Sequence, residues 1–152
     1  MKAKSFSFLL IIGLFTLATS ELKAQDVPTQ IAERFFENYK NKGSDDAIDS
    51  LYASNKWISR AADALANLKS QISGLNEDYV GTYYGYELIV EKKLGDSFAL
   101  QSYLVKYDRQ PIRFTFLFYR PNEEWMLYSF QYDGNLGEEL KEAANIYFLD
   151  LN

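Results

Sequence analysis

Residues 80–132 carry the strongest pattern in the chain, four segments in which apolar and polar residues alternate. Successive side chains of a strand point to opposite faces, so alternation with a period of two predicts β-strands. In the clearest segment, residues 112–120, the apolar face holds Ile112, Phe114, Phe116 and Phe118. The opposite face is mixed and holds Arg113, Thr115, Leu117 and Tyr119. This segment therefore predicts a half-buried strand.

The other three segments, residues 80–91, 97–107 and 125–132, follow the same pattern. In the last of them the alternation sets Met126, Tyr128, Phe130 and Tyr132 against Trp125, Leu127, Ser129 and Gln131. Short turn-forming sequences separate the segments, around Gly95, Pro111 and Pro121. The chain therefore predicts a four-stranded antiparallel meander. Gly81 and Gly85 interrupt the first segment and predict a bend or a bulge in the sheet.

Helical spacing precedes the sheet. Val27, Ile31, Phe35 and Tyr39 recur every four residues after the capping residue Asp26, and Gly43 marks the end of this helix. Ser44 is expected to cap a short second helix with an acidic first turn. A third helix is predicted over residues 57–73, with Gly74 ending it and with a stripe made of Trp57, Ala61, Leu65, Leu68 and Ile72.

A final helix is predicted after the sheet, over residues 138–148. Its apolar positions are Leu140, Ala143, Ala144 and Tyr147, which have helical spacing. Residues 146–151 also suit an added strand, so this alternative stays open. The predicted fold class is α+β, with N-terminal helices on one face of a bent four-stranded sheet.

The N-terminal segment has the three-part layout of a secretory signal peptide. Lys2 and Lys4 precede an apolar run from Phe6 to about Ala18, and Ala24 suits a cleavage site. The run is shorter than the roughly 20 apolar residues that span a membrane, which makes an uncleaved anchor the less favoured alternative. We predict a signal peptide at residues 1–24 and one domain at residues 25–152, secreted or periplasmic.

The net charge and the length of the chain indicate which classes of partner to expect. Removing residues 1–24 takes away Lys2, Lys4, Lys23 and Glu21, which leaves 13 basic and 20 acidic residues and a net charge of −7. An acidic chain disfavours nucleic acid and anionic membrane surfaces, and we predict neither as a partner. The remaining 128 residues suffice for one domain with a core.

The chain contains no histidine and no cysteine. Ser-His-Asp and Cys-His nucleophiles, the usual zinc sites and disulfides are therefore excluded. The two glycines at positions 81 and 85 lie within a strand pattern and do not form a phosphate-binding loop. We predict no catalytic set, no metal site and no cofactor.

The order of elements, together with particular residues, resembles a known family. The amphipathic helix at residues 27–39, the tryptophan-led helix ending at Gly74, and a strand block with Gly81, Gly85, Phe114-Thr115-Phe116 and Trp125 resemble the NTF2-like (cystatin-like) superfamily. Within it, the chain is similar to small secreted bacterial domains of unknown function. The resemblance covers most of residues 26–135. It implies an enzyme, a small-ligand binder or a dimerisation module, and fold alone does not select among them.

A bent sheet covered by helices leaves a concave pocket, which predicts the binding of a small ligand. The candidate ligand-binding residues are Tyr84, Tyr103, Arg113 and Tyr128. Arg113 interrupts an apolar strand, and once buried it needs a carboxylate from the protein or from an acidic ligand. The alternative is a guanidinium that reaches solvent or an ordinary salt bridge.

Two further readings stay open. The first is an enzyme, because the resemblance includes isomerase-type enzymes, in which a carboxylate abstracts a proton and a tyrosine stabilises the enolate. The candidate bases are Glu87, Asp108 and Asp133. The candidate hydrogen-bond donors are Tyr84, Tyr86, Tyr103 and Tyr128. The second is a protein partner or homodimer through the outer sheet face, because Trp125, Leu127, Leu117 and Tyr119 lie opposite the predicted core set. We favour a secreted, non-enzymatic domain that binds a small ligand or a protein partner.

Overall fold

The computed structural model describes residues 27–149. The helices are α1 (Val27–Asn41), α2 (Ser44–Tyr52), α3 (Ala62–Ser73), α4 (Glu77–Val80) and α5 (Leu136–Leu149), and a 3₁₀ turn (Ile58–Ala61) precedes α3. The strands are β1 (Tyr83–Leu94), β2 (Phe98–Tyr107), β3 (Ile112–Tyr119) and β4 (Met126–Asp133). The predicted signal peptide, residues 1–24, and the last three residues, 150–152, lie outside the described residues.

The four strands form one antiparallel sheet in the order β1-β2-β3-β4. The predicted α+β class and the four-stranded meander are therefore confirmed. Each pair is joined by a short turn, and Gly95 has a φ of 60°, a conformation that glycine adopts without steric cost.

Three bulges interrupt the pairing of this sheet. Register shifts place Tyr84 and Ile89 of β1 opposite no residue of β2, and Tyr128 of β4 opposite no residue of β3. Gly85, next to the first bulge, has a φ of 127°, which agrees with the bulge predicted from the glycines. Each bulge adds one residue to one strand, so the pairing beyond it is displaced by one position.

The core lies between α1 and one face of the sheet. The phenylalanines of β3 point to this face as predicted and meet Phe35 and Phe36 of α1, whose side chains are fully buried. Phe35 approaches Phe116 and Phe130 with ring centroids 5.3 and 5.4 Å apart, in tilted and edge geometries that aromatic pairs favour. This cluster fills the space between α1 and the middle of the sheet.

The face assignment of β4 was wrong at Leu127. Leu127 is fully buried, and Trp125 packs against the same core, whereas the alternation had placed both on the outer face. The cause is the bulge at Tyr128, because an extra residue reverses the alternation on one side of it. Tyr128 itself is exposed.

The helices differ from the prediction in detail. The predicted third helix is a 3₁₀ turn followed by α3, and Trp57 and Ala61 are exposed instead of lying in its buried stripe. Ser44 is the first residue of α2 and not its cap, which is Gly43. The short helix α4 ends at Val80, where the sequence predicted the first strand to begin, and β1 begins at Tyr83.

The C-terminal segment is helical through Leu149, which decides against a strand at residues 146–149. The residues of α5 from Gly137 to Ile146 are exposed. Over residues 27–149, no helix combines the length and the apolar character needed to cross a membrane.

Candidate functional site

A cleft of about 450 Å³ opens at the end of the sheet where β1 begins and β2 ends. The last turn of α1, the first turn of α2 and the C-terminal end of α3 form its other walls. The volume falls within the range of roughly 300–1,000 Å³ that small-ligand pockets occupy. Three tyrosines, Tyr39, Tyr83 and Tyr107, line it together with the buried side chains of Ile72 and Leu75. We refer to it as the tyrosine cleft.

The three tyrosines contact one another. The hydroxyl oxygens of Tyr39 and Tyr107 lie 2.7 Å apart in a hydrogen bond. The Tyr83 ring packs edge-on against both, with ring centroids 5.5 Å from Tyr39 and 5.8 Å from Tyr107. Three elements distant in sequence, α1, β1 and β2, thus deliver one aromatic surface with hydroxyl groups on it.

These hydroxyls stay protonated at neutral pH. Burial, with the neighbouring Tyr86 and Tyr39, raises the pKa of Tyr83 to about 12. Burial and the adjacent Tyr39 hold the pKa of Tyr107 well above its ordinary value, and burial also raises the pKa of Tyr39. A phenol with a raised pKa is a neutral hydrogen-bonding group and a poor general base at neutral pH.

Polar side chains surround the aromatic surface. The hydroxyl oxygens of Ser44 and Ser73 lie 2.9 Å apart, and the Thr82 hydroxyl donates to the Glu77 carboxylate at 2.8 Å. Lys40 and Glu77 are charged, exposed and of opposite sign. The interior of the cleft is therefore neutral, and its rim holds charges of both signs.

Gly81 holds the cleft in shape. Its φ is 84°, and a Cβ at this position would lie 2.7 Å from the Cβ of Asp108, closer than side chains approach. On either side of it, the Asp108 amide donates to the Thr82 carbonyl and the Arg109 amide to the Val80 carbonyl, both at 3.0 Å. These contacts clamp the start of β1 to the end of β2, which positions Tyr83 beside Tyr107.

The four predicted ligand-binding residues do not come together. Tyr84 and Tyr128 are both exposed, at 66% and 59%, and they line two different depressions. Tyr84 lies beside α1, and Tyr128 lies on the outer face, where its ring contacts Phe98 and Tyr119.

Tyr103 and Arg113 have protein partners. Tyr103 is buried in the core, where its hydroxyl donates to the Gln101 side chain at 2.9 Å. Arg113 donates to Asp133 from Nε at 3.0 Å and Nη2 at 2.8 Å, and from Nη1 to Glu139. The carboxylate that the sequence required for Arg113 therefore comes from the protein, in the form of a salt bridge.

The carboxylates considered as bases lie outside the tyrosine cleft. Glu87 pairs with Lys106 at 2.7 Å on the outer face, Asp133 pairs with Arg113, and Asp108 is exposed behind Gly81. Among the described residues, no group of three or more acidic side chains is placed to hold a metal ion.

The sequence did not predict the cleft, because the register of β1 on β2 determines which residues line it. Counting back from the turn at Gly95, where Leu94 pairs with Phe98, an unbroken hairpin would set Tyr83 opposite Arg109. The bulges at Tyr84 and Ile89 shift the pairing by two positions, to Tyr107. The spacing of Tyr39 on α1 was visible, but the alternation alone indicated no partner for it.

The chain matches no protein-family model, no curated protein and no solved structure. The assignment of the tyrosine cleft as a candidate site therefore rests on the geometry of the cleft alone.

Proposed function

We propose that the protein is a secreted, non-enzymatic domain that binds a small, uncharged, polar organic molecule in the tyrosine cleft. The observation that carries this proposal is the hydrogen-bonded pair of Tyr39 and Tyr107 at the wall of a cleft of about 450 Å³. Ligand sites combine apolar walls with a few placed polar groups, and the cleft has both. Secretion is inferred from the segment at residues 1–24 alone.

The chemistry of the pair defines what the ligand must offer. One hydroxyl donates to the other, so the accepting tyrosine keeps one O–H group that is free to donate outward. A ligand with a neutral hydrogen-bond acceptor satisfies it, and the rings of Tyr39 and Tyr83 provide apolar contact. The neutral interior gives a charged ligand no compensating partner for its desolvation.

The alternative is an enzyme of the carboxylate and tyrosine type acting on a small organic substrate. Glu77 is the carboxylate that lines the cleft with the tyrosines, and its side chain accepts from Thr82. The raised pKa of Tyr83 suits a hydrogen-bond donor to an enolate. We favour binding because Glu77 is exposed, and an exposed carboxylate lacks the desolvation that tunes general bases.

We also propose that the domain is a distant member of the NTF2-like superfamily. The support is the order of elements, with amphipathic helices first and an antiparallel meander bent by Gly85 after them. Function is not transferred with the fold, because related folds carry different sites.

The test is a binding screen on residues 25–152. The probes are a panel of uncharged monosaccharides, disaccharides and substituted phenols, followed by saturation-transfer NMR. We expect at least one probe to bind, and whichever of Tyr39→Phe and Tyr107→Phe removes the outward O–H to weaken its affinity about tenfold, the loss of one hydrogen bond worth about 1.4 kcal/mol. The matched control is Tyr84→Phe, which removes an exposed hydroxyl outside the cleft and should leave the affinity unchanged.

The outcomes separate the two functions. Probes that bind equally to the wild type, Tyr39→Phe and Tyr107→Phe, or a panel with no binder at millimolar concentration, contradict the proposal. Chemical conversion of a bound probe that stops in Glu77→Gln supports the enzyme instead. The intact mass of the exported protein, which should begin at Gln25, checks the secretion part independently.

A further inference from the structure

The hydrogen bonds around the tyrosine cleft fix which way its serine hydroxyls point. Ser73 donates to the Asp45 side chain at 3.3 Å, because a carboxylate can only accept. A hydroxyl has one proton, so in the 2.9 Å bond between Ser44 and Ser73 the donor is Ser44. The oxygen of Ser44 therefore has no proton left for a ligand and can only accept from one.

Thr82, just before β1, is fixed in the same way. Its hydroxyl donates to the Glu77 carboxylate at 2.8 Å, so its oxygen can only accept from a ligand. Hydrogen bonds to carboxylates are charge-assisted, and bonds in a chain polarise one another, which makes both oxygens better acceptors than isolated hydroxyls. The carboxylates of Asp45 and Glu77 thus turn Ser44 and Thr82 into acceptor positions.

Two other positions in the cleft donate. In the pair of Tyr39 and Tyr107, the accepting hydroxyl keeps its own proton for a ligand. The side chain of Asn76 accepts from the backbone amide of Tyr79 at 3.1 Å, which identifies the accepting atom as its carbonyl oxygen. The amide nitrogen of Asn76 has no hydrogen-bond partner among the described residues, so its two N–H groups are available to a ligand.

The cleft therefore presents donors and acceptors together, around the ring of Tyr83. A phenol has one hydroxyl and a ketone only accepts, so either would desolvate Ser44 or Thr82 without giving it a donor. A saccharide carries several neighbouring hydroxyls, each of which can donate and accept. The C–H groups on one face of a sugar ring also form an apolar surface that can lie on an aromatic ring. This combination matches the lining of the cleft.

We propose that the tyrosine cleft binds a neutral saccharide, whose hydroxyls donate to Ser44 and Thr82 and accept from Asn76 and the tyrosine pair. This inference rests on the proposed function, because it names the class of ligand that the same cleft takes. The volume of about 450 Å³ suits one sugar ring, since it lies in the lower half of the range of roughly 300–1,000 Å³ for small-ligand pockets.

The test titrates residues 25–152 with D-glucose, D-galactose, D-mannose and N-acetyl-D-glucosamine, followed by saturation-transfer NMR, with 4-methylphenol as the probe that has one hydroxyl. We expect a sugar to bind at least tenfold more tightly than 4-methylphenol. Ser44→Ala and Thr82→Val should each weaken its binding about tenfold, through the loss of one hydrogen bond. The matched control is Ser50→Ala, in α2 but outside the cleft, which should leave the affinity unchanged.

Deoxy analogues of the bound sugar identify the hydroxyl that each residue contacts. Where an analogue lacks the hydroxyl that donates to Ser44, Ser44→Ala should cause no further loss, because the shared bond is already absent. Ser44 and Thr82 lie outside the core cluster, so both variants should fold, and thermal unfolding checks this.

The outcomes separate the saccharide class from the proposed function. A sugar whose affinity falls in Ser44→Ala and Thr82→Val, but not in Ser50→Ala, supports the inference. If 4-methylphenol binds more tightly than every sugar and a tyrosine variant weakens it, the saccharide class is wrong and the proposed function stands. The same holds for a sugar that a tyrosine variant weakens but that Ser44→Ala and Thr82→Val do not. No binding of any probe at millimolar concentration overturns both.

Discussion

The aromatic layer under α1 has two regions of different chemistry. In the middle of the sheet it consists of phenylalanines, with Phe35 and Phe36 of α1 on Phe114 and Phe116 of β3. One turn further along α1, at the end of the sheet, it consists of Tyr39, Tyr83 and Tyr107. Both regions use edge-to-face ring contacts, and only the second carries hydroxyls.

The difference follows from access to water. The phenylalanine region is dry, and a hydroxyl there would need a partner inside the protein. Tyr103, at the border, shows what that requires: its hydroxyl donates to Gln101, which in turn donates to Thr29 at 2.8 Å. In the cleft the tyrosines pair with each other and keep a hydrogen-bonding edge towards solvent. One packed layer therefore combines a rigid core with a polar, preorganised surface.

Raising the pH should destabilise the fold through its buried tyrosines, and this is the largest effect that we expect. Burial raises the pKa of Tyr103 and of Tyr107 above 10.0, so the unfolded chain ionises before the folded one. Stability is then fully present below pH 10 and falls as pH rises above it, by about 1.4 kcal/mol per pH unit for each tyrosine. We expect these two tyrosines to account for about 2.7 kcal/mol of the loss in unfolding free energy per pH unit, and Tyr83, with a pKa of about 12, to add to it; urea denaturation between pH 9 and 12 measures the slope.

The variant Tyr107→Phe sharpens this measurement. It removes one of the ionising groups, so it should reduce the slope by about 1.4 kcal/mol per pH unit. A slope equal to that of the wild type would show that Tyr107 ionises equally in both states.

Truncating a side chain at the centre of the phenylalanine region should lower the unfolding free energy nearly as much as the rise in pH does. Phe116 is fully buried and contacts rings from α1, β2 and β4. We expect Phe116→Ala to lower the unfolding free energy by about 3–5 kcal/mol through lost burial and the cavity left behind. Thermal and urea unfolding measure it, with Tyr84→Ala as an exposed control that should change stability by less than about 0.5 kcal/mol. A loss below about 1 kcal/mol for Phe116→Ala would contradict the dry core described above.

The smallest effects are expected from removing a single hydroxyl group, either at the border of the phenylalanine region or in the cleft. Tyr103→Phe leaves Gln101, which is fully buried, without one of its partners and should cost about 1–3 kcal/mol. Tyr107→Phe leaves Tyr39 at a surface where water replaces the lost bond, so about 0.5–1.5 kcal/mol is expected at neutral pH. Urea denaturation of both variants at pH 7 gives the comparison. A larger loss for Tyr107→Phe would mean that the cleft is closed to water.

The predicted strands were confirmed where alternation was uninterrupted. The alternating faces of β3 needed only a period of two, and β3 pairs with β2 without a bulge. The prediction was wrong for Leu127 because the bulge at Tyr128 reversed the alternation. The tyrosine cleft was not predicted for the same reason, since two bulges in β1 determine which residue of β2 pairs with Tyr83. Arg113 was recognised as needing a carboxylate, but the sequence did not indicate Asp133 and Glu139 as the partners.

By itself the sequence determined the order of helices and strands, the antiparallel meander, the phenylalanine face of β3, and the absence of histidine and cysteine chemistry. These features follow from local periodicity and composition. Only the tertiary structure decided the register beyond each bulge, and with it the pairing of Tyr39, Tyr83 and Tyr107 and the burial of Leu127. A bulge is one residue with no periodicity of its own, and its place depends on how the whole sheet bends around α1.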